Sequence, residues 1–286
     1  MSLNSPKGKS AYKRMASQTQ EKLNNLGRNT LVRDDSGPFR VYRDDAGSVF
    51  HSVTHILKET APEWQQQALE RWLSRPTATE DRDMAAKRGT LAHDHAERLL
   101  RVTRKLAIQT ATKRKSLKPN KEGLERCPPA ITSWALDKAI QSAPRVAWSA
   151  SGYARGLRGW IESNLAAIHA IEFSVRHPLG FAGTADALLE VKDRKGLYVV
   201  DWKTSVRERN EDMLQNYIDQ CGAYSLGLRE MTGIQAAGAL IVVARRTGAP
   251  QVRELSALEL IGAEARFKER VERYFSGLAA LEKSHS

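Results

Sequence analysis

Hydrophobic positions along the chain change period about halfway. Residues 62–75 and 80–106 carry apolar side chains at helical spacing, and 130–142 and 152–168 repeat that period, so the first half predicts mostly helix. Ahead of these helices, FRVYRDDAGSVFHSV (39–53) alternates about Asp45-Ala46-Gly47 and predicts a hairpin, after which Ser52 or Thr54 can cap a short helix. Beyond residue 167 the runs shorten. IHAIEFSVRH (168–177), FAGTADALLEV (181–191) and GLYVVDWK (196–203) read as strands, punctuated by His177-Pro178-Leu179-Gly180 and Asp193-Arg194-Lys195-Gly196, and predict a three-stranded meander. Residues 210–229 return to helical period, AAGALIVVA (236–244) is of buried-strand type, and 256–280 predicts a final amphipathic helix. The order from residue 152 is therefore helix, three strands, helix, strand, an α/β arrangement with no internal repeat.

Two stretches escape this periodicity. Residues 107–127 read as too polar and basic to pack. Residues 1–36 show no sustained apolar period apart from a short helix predicted around 12–26, which suggests a flexible basic arm. The expected organisation is that arm followed by a single domain over 37–286. Its part 37–150 is mainly helical, and 151–286 holds the α/β core. One elaborated domain suits 286 residues.

Composition narrows the partners. Lys and Arg outnumber Asp and Glu by 45 to 33, a net charge of +12, which suits a protein that meets a polyanion. Two cysteines, Cys127 and Cys221, are too few for a disulfide framework or an iron–sulfur cluster. No run reaches the roughly 18 apolar residues of a membrane helix, and no basic-then-apolar leader opens the chain, so a soluble intracellular protein is expected. The acid-poor, Ser-containing start also fits an organellar transit peptide.

Candidate chemistry lies at the end of the third predicted strand. Side chains alternate along a strand, so Asp201 and Lys203 share one face while Val200 and Trp202 share the other. If the meander pairs, Asp186 on the preceding strand can converge on Asp201. Two adjacent carboxylates repel, and a hard divalent cation coordinated by both removes the conflict. A lysine beside such a site either helps deprotonate water or stays protonated and stabilises charge on phosphorus. The plainer alternative is an ordinary Asp201–Lys203 ion pair at a strand end.

Gly183-Thr184-Ala185-Asp186 followed by Asp201-Trp202-Lys203 resembles the PD-(D/E)XK nuclease motif. Arg88-Gly89-Thr90-Leu91-Ala92-His93 is similar to the helical histidine motif of its RecB-type branch, and Tyr217-x-x-Gln220-x-x-x-Tyr224 to that branch's Q-x-x-x-Y motif, whose Gln and Tyr share a helix face. Over residues 39–280 the resemblance is to the mitochondrial genome maintenance exonuclease family and its phage and bacterial relatives.

The resemblance implies a restriction-endonuclease-like core with an N-terminal helical elaboration, and a metal-dependent exonuclease that acts on single-stranded DNA from a free end and leaves 5′-phosphates. It implies His93, Asp186, Asp201 and the Trp202 carbonyl as ligands of Mg2+ or Mn2+, with no iron–sulfur cluster, and Lys203 at the attacking water. Thr204 and Ser205 would lie near the scissile phosphate, Gln220 and Tyr224 would position Lys203 and the DNA, and Arg88, Thr90 and Tyr217 would bind substrate. Glu172 stands where many relatives carry an acidic residue.

Alternatives on the same core are a double-strand-specific recombination exonuclease, a structure-selective endonuclease and a non-catalytic DNA-binding module. Recombination or replication proteins are the expected partners. The expected compartment is the cytoplasm of a bacterial or phage-infected cell, or else the mitochondrial matrix, and phage recombination, bacterial repair and organellar DNA turnover would all use the same site. Three further features stay open: the basic cluster within 101–121 either tracks phosphates or is a solvated loop, Trp148, Tyr153 and Trp160 either stack on bases or fill the core, and 80–106 with 128–168 are candidates for a helical arch. His95, two positions from His93, is expected to be solvated.

Overall fold

The computed structural model describes residues 18–26 and 31–284. In chain order these form α1 (18–26), β1 (Leu31–Asp34), β2 (Val41–Asp44), β3 (Val49–Ser52), α2 (Val53–Glu59), α3 (Glu63–Leu73), α4 (Ala78–Lys113), β4 (Lys118–Pro119), β5 (Glu125–Arg126), α5 (Pro129–Ser142) and α6 (Trp148–Asn164). The core follows as β6 (Leu165–His177), β7 (Phe181–Val191), β8 (Tyr198–Ser205), α7 (Glu211–Thr232), β9 (Gly238–Arg245), β10 (Gln251–Leu255) and α8 (Ala257–Ser284). The expected order of helix, three strands, helix, strand is present, with β10 added where QVREL was too short to announce a strand. Among the described residues no helix is long and apolar enough to cross a membrane.

β7 organises the sheet. One edge pairs with β6 along its length, while the other is shared between two strands: β3 runs parallel to it at Phe181 and Ala182, and β8 runs antiparallel at Ala187–Leu189. Residues 183–186 lie between those pairings, so the sheet forks there. From β8 it continues to parallel β9 and antiparallel β10.

Alternation then sorts the side chains into two apolar layers. Val199, Ile241 and Val243 face α7 and α8 with Phe267, whereas Val200, Trp202 and Val242 face α6 with Leu157 and Trp160. Where α7 meets α8, Arg270 bonds Asp219 at 2.9 Å, both side chains being buried. This buried pair ties the helix behind the fork to the C-terminal helix.

Two expectations are corrected. The segment 107–127 does pack: α4 runs on to Lys113 because Ala107 and Ala111, one turn apart, meet Ile131 and Ala135 of α5, and Leu124 is fully buried. Small residues at helical spacing carried that contact beneath a basic surface. The boundary at residue 36 also shifts, because Leu23 and Leu26 of α1 join the main core and β1 pairs with β2. Residues 1–17 and 27–30, the remainder of the expected arm, lie outside the described residues. The hairpin over 39–53 is found as β2–β3, and Ser52, not Thr54, caps α2 by accepting from the His55 N–H at 3.1 Å.

Candidate active site

The fork leaves backbone groups of β8 without a strand partner, and a side chain takes over. The Trp202 N–H donates to Asp186 Oδ2 at 2.6 Å, where continued β7 pairing would have supplied a carbonyl. The carboxylate of Asp186 is thereby held at the mouth of the fork. Its other oxygen, Oδ1, lies 3.5 Å from His93 Nδ1 on α4. As expected from alternation, Asp201 and Lys203 share a face, with Lys203 Nζ 2.5 Å from Asp201 Oδ2.

Glu172 enters the site through a backbone irregularity. The β6–β7 register pairs Ile171 with Ala187 and Phe173 with Ala185, which sets Glu172 opposite Asp186. Residues two apart on a regular strand share a face, yet Ile171 packs with the α6 layer and Phe173 with the α7–α8 layer. The pleat reverses at Glu172, whose φ of +46 is one of three positive values among the described non-glycine residues. Such left-handed backbone in a strand is strained and concentrates at functional sites.

The electrostatics follow from crowding. Burial, together with the Asp186 and Glu97 carboxylates, pushes Glu172 up to about 9. Burial likewise raises Asp201 to about 6, against the attraction of Lys203 and with the repulsion of Asp186. Asp186 is lowered in spite of its burial, because His93, Lys203 and the Trp202 N–H all favour its anion. Burial opposes the charge on His93 and on Lys203, but the neighbouring carboxylates outweigh it and raise both.

Tyr217, Gln220 and Tyr224 come from one side of α7. Gln220 Nε2 donates to the Tyr224 hydroxyl at 2.6 Å, and the Tyr224 ring lies so close to Gly183 that a Cβ there would stand 2.8 Å from Tyr224 Cε1. Tyr217 is the residue over Lys203, with the ammonium 5.0 Å from its ring centroid. The structure thus shows Tyr217 against the lysine and the Gln220–Tyr224 pair beside the Gly183 backbone.

Two hollows flank the place where α4 crosses β8. The first, about 390 Å3, brings together Thr90, His93, Glu97, Glu172, Asp186 and Tyr224, and its outer wall is Arg33, Arg40 and Tyr42 from the N-terminal strands. The second, about 540 Å3, is lined by Arg88, Tyr153, Thr204 and Ser205. At the crossing a Cβ on Gly89 would lie 3.3 Å from Thr204 Oγ1. Of the five expected substrate-binding residues, Thr90 lines the first hollow, Arg88, Thr204 and Ser205 line the second, and Tyr217 lines neither.

Three participants were not anticipated: Glu97, Arg33 and Arg40. Glu97 follows His93 by four residues, a spacing that already put the two on one helix face. The arginines, both ion-paired to Asp35 (2.6 and 2.7 Å), had no signal because they sit on or beside short strands at the chain's start. His95, expected to be solvated, is half-buried, and burial with Arg158 and Arg98 nearby lowers its pKa.

The donor chemistry fits a hard divalent cation. Asp186, Asp201 and Glu172 bring carboxylate oxygens together at the fork, and Asp201 Oδ2 is held by the Lys203 ammonium at 2.5 Å. As the side chains stand, no three of His, Cys, Asp and Glu among the described residues converge tightly enough to enclose a metal. Lys203 and His93 balance the carboxylates instead.

Known proteins bear on this arrangement unequally. A protein of Eubacterium rectale described as a "putative exonuclease" shares 14% identity and a TM-score of 0.40 over 80% of this chain and 82% of its own. The protein SSO0001 shares 16% identity and a TM-score of 0.27 over 64% and 74%. No curated protein gives a significant match. The model of one family, the PD-(D/E)XK nuclease superfamily, matches residues 51–284, from β3 through the forked sheet to α8. With that span covering most of the chain, and with Asp186, Asp201 and Lys203 at the fork within it, the protein belongs to the PD-(D/E)XK nuclease superfamily.

Proposed function

We propose that this nuclease is a metal-dependent exodeoxyribonuclease that hydrolyses single-stranded DNA from a free end and leaves 5′-phosphate products. The observation that carries the reading is the forked site, where Asp186 lines a hollow of about 390 Å3 with His93 and Glu172, and the paired Asp201 and Lys203 stand on the neighbouring strand. The preference for a single strand with a free end rests on the resemblance of residues 39–280 to the mitochondrial genome maintenance exonuclease family.

Asp186 and Asp201, with His93 and the Trp202 carbonyl, would hold Mg2+ or Mn2+. When bound, such an ion polarises the phosphate and activates water. The protein's own groups do the rest. Lys203, kept protonated by Asp201 and Asp186 in spite of its burial, supplies positive charge where negative charge develops on the phosphate oxygens, and Tyr217 restricts where that ammonium can sit. Tyr224, set against Gly183 and held by Gln220, borders the same hollow. The net charge of +12 favours binding to the phosphate backbone and predicts a steep loss of affinity with salt.

The test compares linear with covalently closed circular single-stranded DNA, in Mn2+, in Mg2+ and in chelator, for wild type and Lys203→Ala. The expected outcome is metal-dependent loss of the linear form only, with 5′-phosphates on the products. Lys203→Ala should lower turnover by at least about a hundredfold while affinity for DNA in chelator stays within a few-fold. Cutting of the circle would make the protein an endonuclease. Preference for linear duplex would make it a double-strand exonuclease, and absence of divalent-cation binding by calorimetry would leave a binding module.

A further inference from the structure

Trp148 is the first residue of α6 and is 82% exposed, the highest value among the large hydrophobic side chains described. Leaving an indole in water forfeits the stabilisation its burial would bring. Its surroundings are ordered nonetheless. The Arg246 guanidinium lies over the ring, 5.6 Å from its centroid, and occupies one face. The seating is rigid because Gly152, one turn along α6, rests on the backbone of Arg246: a Cβ at Gly152 would stand 2.0 Å from the Arg246 carbonyl oxygen. Gly156, a further turn on, meets Ala244. Helix α6 is thus pinned to β9, and its first turn projects past the strand's end.

That end lies beside the nuclease site. In the parallel β8–β9 register Ser205 pairs with Arg245, and Arg246 is the next residue. Neighbouring strands are about 4.8 Å apart. Tyr153, five residues after Trp148 or roughly 7.5 Å along the helix, lines the second hollow with Thr204 and Ser205. The platform therefore stands at the end of β9, next to the strand end that enters this hollow, and neither Trp148 nor Arg246 is part of the hollow's lining.

We propose that Trp148, backed by Arg246, is a stacking platform for an unpaired base of single-stranded nucleic acid, placed at the end of β9. The inference rests on the reading proposed above, which supplies the polymer. Charge selects that occupant over an apolar protein surface, since Arg246 lies over the indole and residues 143–157 around it carry Arg145 and Arg155 with no Asp or Glu. A base–aromatic contact beside cations is how proteins hold single strands without reading sequence. The expected preference is for unpaired bases of any identity.

The experiment is equilibrium binding in chelator and low salt, with oligo-dT and with an abasic oligomer of equal length, for wild type, Trp148→Ala and Trp148→Phe. Trp148→Ala should weaken oligo-dT binding roughly tenfold, the scale of one stacked base. Trp148→Phe should retain most of the affinity, and the abasic oligomer should bind all three proteins alike. Because the indole is exposed, an unchanged thermal midpoint is expected for both variants. Equal binding of oligo-dT by wild type and Trp148→Ala, or a loss that extends equally to the abasic oligomer, would overturn the platform while leaving the nuclease reading intact. Failure of the wild type to bind either oligomer would remove both.

Discussion

Glu190 near the end of β7 and the fork carboxylates, Glu172 on β6 and Asp201 on β8, are treated in opposite ways. At the closed end of the sheet Glu190 accepts from Asn120 at 3.0 Å, meets His169 at 3.0 Å and pairs with Arg126 at 2.6 Å, and these partners lower its pKa against the opposing effect of burial. At the fork, Glu172 and Asp201 are raised to about 9 and about 6 by burial and by the Asp186 carboxylate between them, although Lys203 holds Asp201. The first arrangement is an acid surrounded by donors, and it holds the β4–β5 hairpin to the sheet. In the second, Asp186 and Asp201 face Lys203 and His93, and Glu172 is held toward its neutral form. The difference is the one expected between an acid that pins structure and acids that are proposed to serve chemistry.

Both ends depend on one rigid strand, and Trp202 is the place to break it. The indole is 1% exposed and packs edge-on against Trp160 at 5.4 Å, on the face of β8 opposite Asp201 and Lys203. Trp202→Ala should cost about 3–5 kcal/mol of stability, read as a shift of the denaturant midpoint with an unchanged slope. A loss under about 1 kcal/mol would show that the α6 layer does not hold β8 and that the fork is positioned from elsewhere.

Asp186 sharpens the contrast because it has two tasks, one of charge and one of hydrogen bonding. Asp186→Asn keeps an oxygen for the Trp202 N–H and relieves repulsion with Glu172, so it should abolish turnover while stability stays within about 1 kcal/mol of wild type. Asp186→Ala should abolish turnover too, but it leaves that buried N–H unpaired at a cost of about 1–3 kcal/mol. Thermal unfolding of the two variants separates the tasks. Equal midpoints would mean that the Trp202 N–H finds another acceptor and that the fork is not braced by the carboxylate.

How much of this was legible depends on the range of the interactions involved. The strand 181–191 could be bounded from its apolar run and flanking turns, and the shared face of Asp201 and Lys203 followed from the strand period alone. The four-residue spacing of Gln220 and Tyr224 likewise became a 2.6 Å bond. What period cannot carry is an irregularity or a contact between distant segments. The left-handed turn at Glu172 reverses the pleat with no glycine or proline to announce it. Tyr217 reaches Lys203 only because α7 folds back over β8. The alanines of α4 that meet α5 look unremarkable between basic neighbours, and Arg33 and Arg40 reach the cleft through strands of four residues or the turn between them. The fork itself is a property of three strands at once, and no single segment encodes it.

The smallest expected effect tests the closed end. Glu190 has a folded pKa lowered from its ordinary value, so the stability it contributes is present above about pH 4.5, the usual glutamate range. As pH falls through the lower folded value the carboxylate is protonated and that contribution is lost. Glu190→Gln should therefore cost about 1 kcal/mol near neutral pH, and the cost should shrink as pH falls below about 4. Comparing denaturant midpoints of wild type and variant at several pH values between about 3 and 7 reads the convergence directly. A constant difference across that range would assign the loss to the shape of the hydrogen-bond network and not to charge. Glu190 would then differ from the fork carboxylates in packing alone, because only a charge-dependent cost ties it to Arg126 as an ion pair.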